Sequence, residues 1–151
     1  MSSTSAAELR REFVDSNVLI YSVDPSAGRK GARARALLAE LWGRRSGCVS
    51  IQVLQEFYVT VTGKLPQRLS LTEGARKVAD FAAWTLHQPA KDDLLSALEF
   101  HREAQISFWD AMIVQSARQM KCATLWTEDL NDGQRYAGVL VRNPFVDSVV
   151  E

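Results

Sequence analysis

The 151-residue chain has little cysteine, little histidine and no excess of either charge. Its two cysteines, Cys48 and Cys122, are too few for a disulfide framework or a cysteine-held zinc site. Both sit in apolar surroundings, as small buried thiols of a reducing compartment do. The two histidines, His87 and His101, have no acid partner at triad spacing and read as structural. Eighteen Lys+Arg balance eighteen Asp+Glu, which excludes a uniformly basic coat for passive nucleic-acid binding but leaves room for a local basic patch. No run free of Asp, Glu, Lys and Arg is longer than Ser46–Gln55 or Phe81–Ala90, far short of the ~20 apolar residues of a membrane helix. Met1 to Arg11 contains no apolar segment of the signal-peptide kind, so the expected location is cytoplasmic, with no membrane partner. Gly-x-x-x-x-Gly-Lys, Gly-x-Gly-x-x-Gly and Gly-x-Ser-x-Gly are all missing, which leaves nucleoside-triphosphate, dinucleotide and esterase chemistry without their usual loops.

What is present is the mix of an ordinary globular protein, 46% hydrophobic and 24% charged. The length suits a single domain, 1–151, with its core at about 12–146. Charge is balanced overall but not along the chain. Residues 28–45 carry Arg29, Lys30, Arg33, Arg35, Arg44 and Arg45 against Glu40 alone. Residues 92–132 carry Asp92, Asp93, Glu99, Glu103, Asp110, Glu128, Asp129 and Asp132 against Arg102, Arg118 and Lys121. These are either two solvated helix faces or a carboxylate-lined site beside a basic rim that holds a polyanion.

Hydrophobic periodicity and capping residues predict the elements. Glu12–Asp15 reads as a short strand ending in an acid, and Asn17–Val23 as a helical turn stopped by Asp24-Pro25. A helix from Arg29 to Trp42 ends at Gly43, and a strand follows over Cys48–Ser50. Ser50 caps a helix to Gly63. Leu65–Ser70 is a loop, Thr72 caps the next helix, and Thr85–Pro89 forms a brief strand. Asp92 to Ala104 is a helix with Leu94, Leu95, Leu98 and Phe100 as its apolar residues. Ser107 caps another, with Trp109, Ile113 and Ala117 on one stripe. Ala123–Trp126 and Val139–Arg142 are strands. Their alternation with helices predicts an α/β sandwich with a mostly parallel sheet, in which ligands bind at the carboxyl ends of the strands. Tyr58, Trp84, Trp109 and Trp126 fall at core spacing.

Two acids reach that edge on independent strands, Asp15 after Phe13-Val14 and Asp129 after Leu125-Trp126. Glu56 lies on an otherwise apolar helix, where a charge is costly unless it is paired or holds a metal. Asp110 lies in the first turn of an apolar helix, where the dipole favours a negative charge. Carboxylates that converge without basic partners share protons or bind a hard cation, and all-oxygen ligation suits Mg²⁺ or Mn²⁺ rather than zinc. Such an ion activates water and neutralises charge on a phosphodiester. Arg29, Lys30, Arg33 and Arg35 are then the candidate rim for a polyanion, by electrostatic steering.

Taken in order, these residues resemble the PIN domain family, and in particular the VapC-like toxin ribonucleases of toxin–antitoxin pairs. The resemblance runs from Phe13 to Phe145. Phe-Val-Asp15-Ser-Asn17-Val-Leu-Ile-Tyr is similar to the family's opening, and Glu56 falls on its second acid. Asp110 in Trp-Asp-Ala-Met-Ile falls on the third, and Leu-Trp-Thr127-Glu-Asp129-Leu on the strand-Thr-x-Asp segment of the fourth. The resemblance implies a Rossmann-like three-layer α/β/α sandwich around a mostly parallel sheet. It also implies an Mg²⁺- or Mn²⁺-dependent endoribonuclease whose acids are Asp15, Glu56, Asp110 and Asp129, helped by Asn17 and Thr127. Asp15, Asp110 and Asp129 would be the metal ligands, with Glu56 and Asp132 secondary; Asp129 stands first as the fourth acid by motif position and Asp132 second. Attack by a metal-activated water would leave 5′-phosphate and 3′-hydroxyl ends. Family members usually form homodimers and are neutralised by a small antitoxin, so RNA, an antitoxin and a second copy are the expected partners, with Arg29, Lys30, Arg33 and Arg35 as the RNA rim. Two alternatives stay open. Asp15-Ser-Asn17-Val-Leu is also similar to the opening of haloacid-dehalogenase-type phosphatases, with Asp15 as nucleophile, although their second Asp is Asn17 here. The other is a catalytically silent PIN-fold binding module.

Overall fold

A computed structural model describes residues 10–146. The ends of the expected 1–151 domain, and most of the Met1–Arg11 segment, lie outside the described residues. The elements in chain order are β1 (Glu12–Val14), α1 (Ser16–Val23), a 3₁₀ turn (Pro25–Ala27), α2 (Gly28–Arg44), β2 (Gly47–Ser50), α3 (Ile51–Gly63) and α4 (Leu71–Ala82). There follow β3 (Thr85–His87), α5 (Lys91–Ala104), α6 (Phe108–Gln119), β4 (Thr124–Trp126), β5 (Arg135–Tyr136) and β6 (Val139–Arg142).

Six strands form one sheet in the order β3-β2-β1-β4-β6-β5, parallel except for the β5–β6 hairpin. Crossovers from β1 to β2 and from β2 to β3 run one way, and the crossover from β3 to β4 runs back past β1. Right-handed connections therefore send α1–α4 to one face and α5–α6 to the other. The contacts agree, because α1 packs on α2 and α3, α3 packs on α4, and α5 packs on α6. This is the expected α/β fold with a mostly parallel sheet. The order reverses between β1 and β4, which makes their carboxyl ends the crevice of the sheet. The core is packed by Phe13, Val14, Leu19, Leu37, Leu41, Val49, Phe57, Val114 and Leu125, and both cysteines are free and buried within it.

Local chemistry moved several boundaries. Ser70, not Thr72, caps α4, because Ser70-x-x-Glu73 forms a reciprocal capping box: Ser70 Oγ accepts from Glu73 N–H, and Glu73 Oε1 accepts from Ser70 N–H. Gly43 does not end α2. The helix runs on to Arg44 and turns at Arg45, in the left-handed region at φ 55°, where Ser46 N–H returns to Leu41 O. The β5–β6 hairpin was not read from the sequence. Its two-residue turn, Ala137-Gly138, has φ 52° and 87°, the primed geometry that matches strand twist, and the signal was the lone Gly138 between Tyr136 and Val139.

Burial also departs from the expected stripes. On α5 the core side is Asp93 and Ala97, while Leu94, Leu95 and Leu98 are exposed. On α6 Ile113 and Ala117 are buried but Trp109, in the first turn ahead of the buried stretch Ala111–Ala117, is 60% exposed. Trp84 and Trp126 are core residues as expected. His87, read as lacking an acid partner, has one: its Nε2 lies 3.4 Å from Asp93 Oδ2 and its Nδ1 2.8 Å from Ser116 Oγ. The partner is close in sequence but is reached only when α5 folds back over the end of β3. All three residues are buried, so the trio is a structural network, and the structural reading of His87 stands.

Candidate metal centre

Asp15 stands at the carboxyl end of β1 and caps α1, its Oδ1 accepting from Ser16 N–H at 2.7 Å. Its backbone N–H reaches across to Trp126 O at 3.0 Å, so the ends of β1 and β4 are held side by side. The chain leaves β4 through Thr127, which is fully buried; its hydroxyl donates to Asp15 Oδ2 at 2.8 Å and accepts from Asp129 N–H at 3.1 Å. That pair of bonds folds the segment so that Asp129 turns back toward Asp15. Asn17, the second residue of α1, ties the same groups together, with Nδ2 3.1 Å from Thr127 Oγ1, 3.1 Å from Asp129 Oδ2 and 3.4 Å from Asp15 Oδ2. Asp110 arrives from the opposite layer, in the first turn of α6, where Ser107 Oγ accepts from its N–H at 3.0 Å.

Three separate segments thus deliver carboxylates to one place. One oxygen each of Asp15, Asp110 and Asp129 lies within 4.8 Å of the others. Glu56, on α3, flanks this trio through Ser16, whose hydroxyl donates to Glu56 Oε1 at 3.0 Å, while Gln52 Nε2 donates to Oε2 at 3.2 Å. Asp132 is turned elsewhere, with Oδ1 accepting from Asn143 N–H at 2.8 Å. Glu128 also faces away. It accepts from Tyr21 Oη–H at 2.7 Å and pairs with Lys30 at 3.0 Å, a structured role that a solvated turn would not have.

The electrostatics are those of a site that lacks a counter-charge among its own residues. Asp15 is 4% exposed, and its carboxyl is pushed up to about 7. Burial is the main cause and the charges of Asp129 and Glu56 add to it, against the opposing bonds from Thr127 and Ser16. Asp110 is raised too, by burial first and then by Asp129 and Glu56. The salt bridges found among the described residues bring no cation to this trio. Three oxygen donors, one buried and pre-oriented by hydroxyl and backbone bonds, fit a hard divalent cation. Lys30 of α2 is paired with Glu128 instead of the trio.

A family model described as the PIN domain matches residues 13–138. No curated protein matches the sequence. Among solved structures, one described as FitAB bound to an IR36 DNA fragment superposes with a TM-score of 0.70 at 19% identity, covering 91% of this chain and 97% of that one. A toxin–antitoxin complex from Klebsiella pneumoniae gives 0.65 at 19% identity, with 89% and 98% covered. VapC20 from Mycobacterium tuberculosis, described as a Sarcin-Ricin loop cleaving toxin, gives 0.53 at 20% identity, with 76% and 86% covered. At these identities the likeness is one of fold.

Proposed function

The chain belongs to the PIN domain family, and from that premise we propose that it is a divalent-metal-dependent endoribonuclease, the toxin of a toxin–antitoxin pair acting in the cytoplasm. The observation that carries this reading is the convergence of Asp15, Asp110 and Asp129 from β1, α6 and the β4 turn to within 4.8 Å, with no cationic side chain paired to them among the described residues. The three would hold Mg²⁺ or Mn²⁺, which when bound supplies activation of water and relief of charge on the phosphodiester. The chain's own residues do the positioning. Thr127 and Ser16 N–H fix the Asp15 carboxylate, Asn17 bridges Asp15 to Asp129, and Ser16 with Gln52 orients Glu56 beside the trio. Without the ion, four acids repel a phosphodiester, so binding of substrate and of metal is coupled.

An antitoxin segment is the proposed inhibitor, supported by the likeness to the toxin–antitoxin complex from Klebsiella pneumoniae. The exposed row Leu94, Leu95 and Leu98 supports the expected homodimer. The deciding experiment is incubation of a 5′-labelled single-stranded RNA with the purified chain and Mn²⁺, with analysis of the ends. Cleavage to 5′-phosphate and 3′-hydroxyl ends, abolished by EDTA and by Asp15→Asn, is expected. Cyclic phosphate ends, or cleavage indifferent to EDTA, would overturn the reading. Expression of the chain alone should arrest growth, and Asp15→Asn should relieve the arrest.

A further inference from the structure

Three of the rim candidates of α2, Arg29, Lys30 and Arg33, line one cavity of the folded protein. Lys30 is committed to Glu128, and its Nζ lies 5.0 Å from the centre of the Tyr21 ring and 5.6 Å from that of Phe145. The cavity, of about 870 Å³, lies between α2 and the segment after β6, and Arg29 and Arg33 line it beside Lys30. Its far wall carries Arg142, a residue outside the basic stretch, brought opposite Arg33 by the β4–β6 pairing. The Arg142 guanidinium lies over the Trp126 ring, 4.7 Å from its centre, and Arg33 Nε donates to Pro144 O at 3.1 Å. Both side chains are therefore held in place while their terminal nitrogens stay open. Among the described residues neither they nor Arg29 forms an ion pair, and the one acid lining the cavity, Asp132, already accepts from Asn143 N–H. A second cavity, of about 770 Å³, shares Arg33, Trp126 and Arg142, so the two form one trough. The second cavity carries the acids Glu12, which pairs with Arg44 at 2.8 Å, and Glu40, whereas the first has Asp132 alone against four bases and is the more positive part.

The trough is joined to the acidic trio through a short ladder. Asp129 is bonded to Asn17, Asn17 Oδ1 accepts from Glu128 N–H at 3.4 Å, and Glu128 holds Lys30 at the trough's lip. A linear polyanion crossing the trio would enter the trough next. Guanidinium groups pre-positioned as planar forks match a phosphate's oxygens better than a lone ammonium does.

We propose that this trough holds a phosphodiester of single-stranded RNA flanking the bond that is cut, gripped by Arg33 and Arg142 with Arg29 at the entrance. The inference rests on the nuclease reading for the identity of the strand, and it makes the trough a binding element rather than a part of the chemistry.

The test is fluorescence anisotropy of a labelled single-stranded RNA 12-mer on the full chain in EDTA, where nothing is cleaved. Arg33→Ala with Arg142→Ala should weaken binding about tenfold and lower the salt slope between about 50 and 200 mM by about 1.4, the value for two phosphate contacts on a single strand. Arg29→Ala, which touches no structural partner, should weaken it about threefold. Arg102→Ala with Arg118→Ala, on α5 and α6, should leave it unchanged. With Mn²⁺ present, the double variant should raise KM on the 12-mer and leave a dinucleotide substrate unaffected. Unchanged affinity and slope in both Arg33→Ala/Arg142→Ala and Arg29→Ala would overturn the inference, and loss of antitoxin binding instead would make the trough a protein face. A chain that binds RNA through these arginines but never cleaves it would sink the nuclease reading and keep this one.

Discussion

Two buried aspartates at helix N-termini have opposite fates. Asp15 follows β1 and caps α1, and Asp93 stands in the first turn of α5, the helix after β3. Asp93 is surrounded by donors. Ala90 N–H reaches Oδ2 at 2.8 Å, Gln115 Nε2 reaches Oδ1 at 3.0 Å, and His87 lies 3.4 Å away. Burial alone would raise its carboxyl, but those bonds overcome it and leave it below the usual range. Asp15 has donors too, yet burial, with the charges of Asp129 and Glu56 added to it, pushes its carboxyl up to about 7. The same side chain, equally hidden from water, is in one place a finished internal contact and in the other an unmet demand for positive charge. A buried acid signals function when its neighbours are acids, and structure when they are donors.

The comparison can be broken most decisively by exchanging each acid for a neutral residue. Asp15→Asn should reduce RNA cleavage about a thousandfold, an effect of the size that loss of one well-placed electrostatic group produces. It should also raise the melting temperature of the metal-free protein by a few degrees, because a charge held at a cost is removed. A fall in melting temperature would mean that Asp15 is a structural group like Asp93. Asp93→Ala should do the reverse, with cleavage per folded molecule kept and stability lowered by about 3 kcal/mol, because it strands Gln115, His87 and the Ala90 N–H in the interior. That corresponds to roughly 6–12 °C in a domain of this size by thermal melt.

A pH series sharpens the same contrast, since the two acids bend the stability curve in opposite senses. Asp93, depressed in the folded state, adds stability that is present above its unfolded value and lost as pH falls through the folded one. Asp15, raised, makes the folded state take up more protons than the unfolded chain. Between pH 3.8 and about 7 the metal-free protein should therefore lose stability as pH rises. Mn²⁺ should reverse that trend, and its affinity by calorimetry should fall towards tenfold per pH unit below about 7. An affinity flat across that window would remove Asp15 from the ligands. The smallest expected change is that of Glu128→Gln. It releases Lys30 at a cost of about 0.5 kcal/mol, as for other partly exposed pairs, and should tighten RNA binding two- to threefold in the anisotropy assay.

Much of this was legible in the sequence because it is local. Strand-then-acid at Asp15 and Asp129, the caps Ser50 and Ser107, and the alternation of strands with helices each depend on a few adjacent residues. What was misread depended on residues far apart. Trp109 and the leucines of α5 have the spacing of core residues, but Trp109 stands in the first turn of α6, ahead of its buried stretch, and the leucines lie off the side of α5 that Asp93 and Ala97 bury. His87 looked solitary because α5 must fold back before Asp93 reaches it. Arg142 carried no signal, as one arginine at the end of a strand, until β6 paired with β4 beside α2.

By itself the sequence determined which acids could converge and which strands would carry them, since side-chain chemistry and backbone periodicity are properties of short segments. Only the tertiary structure decided that Asp110 crosses from the other helical layer to meet Asp15, that Glu128 and Asp132 turn aside, and that Arg33 finds Arg142. Distance between remote residues is set by how layers pack on a twisted sheet, and no local pattern encodes it.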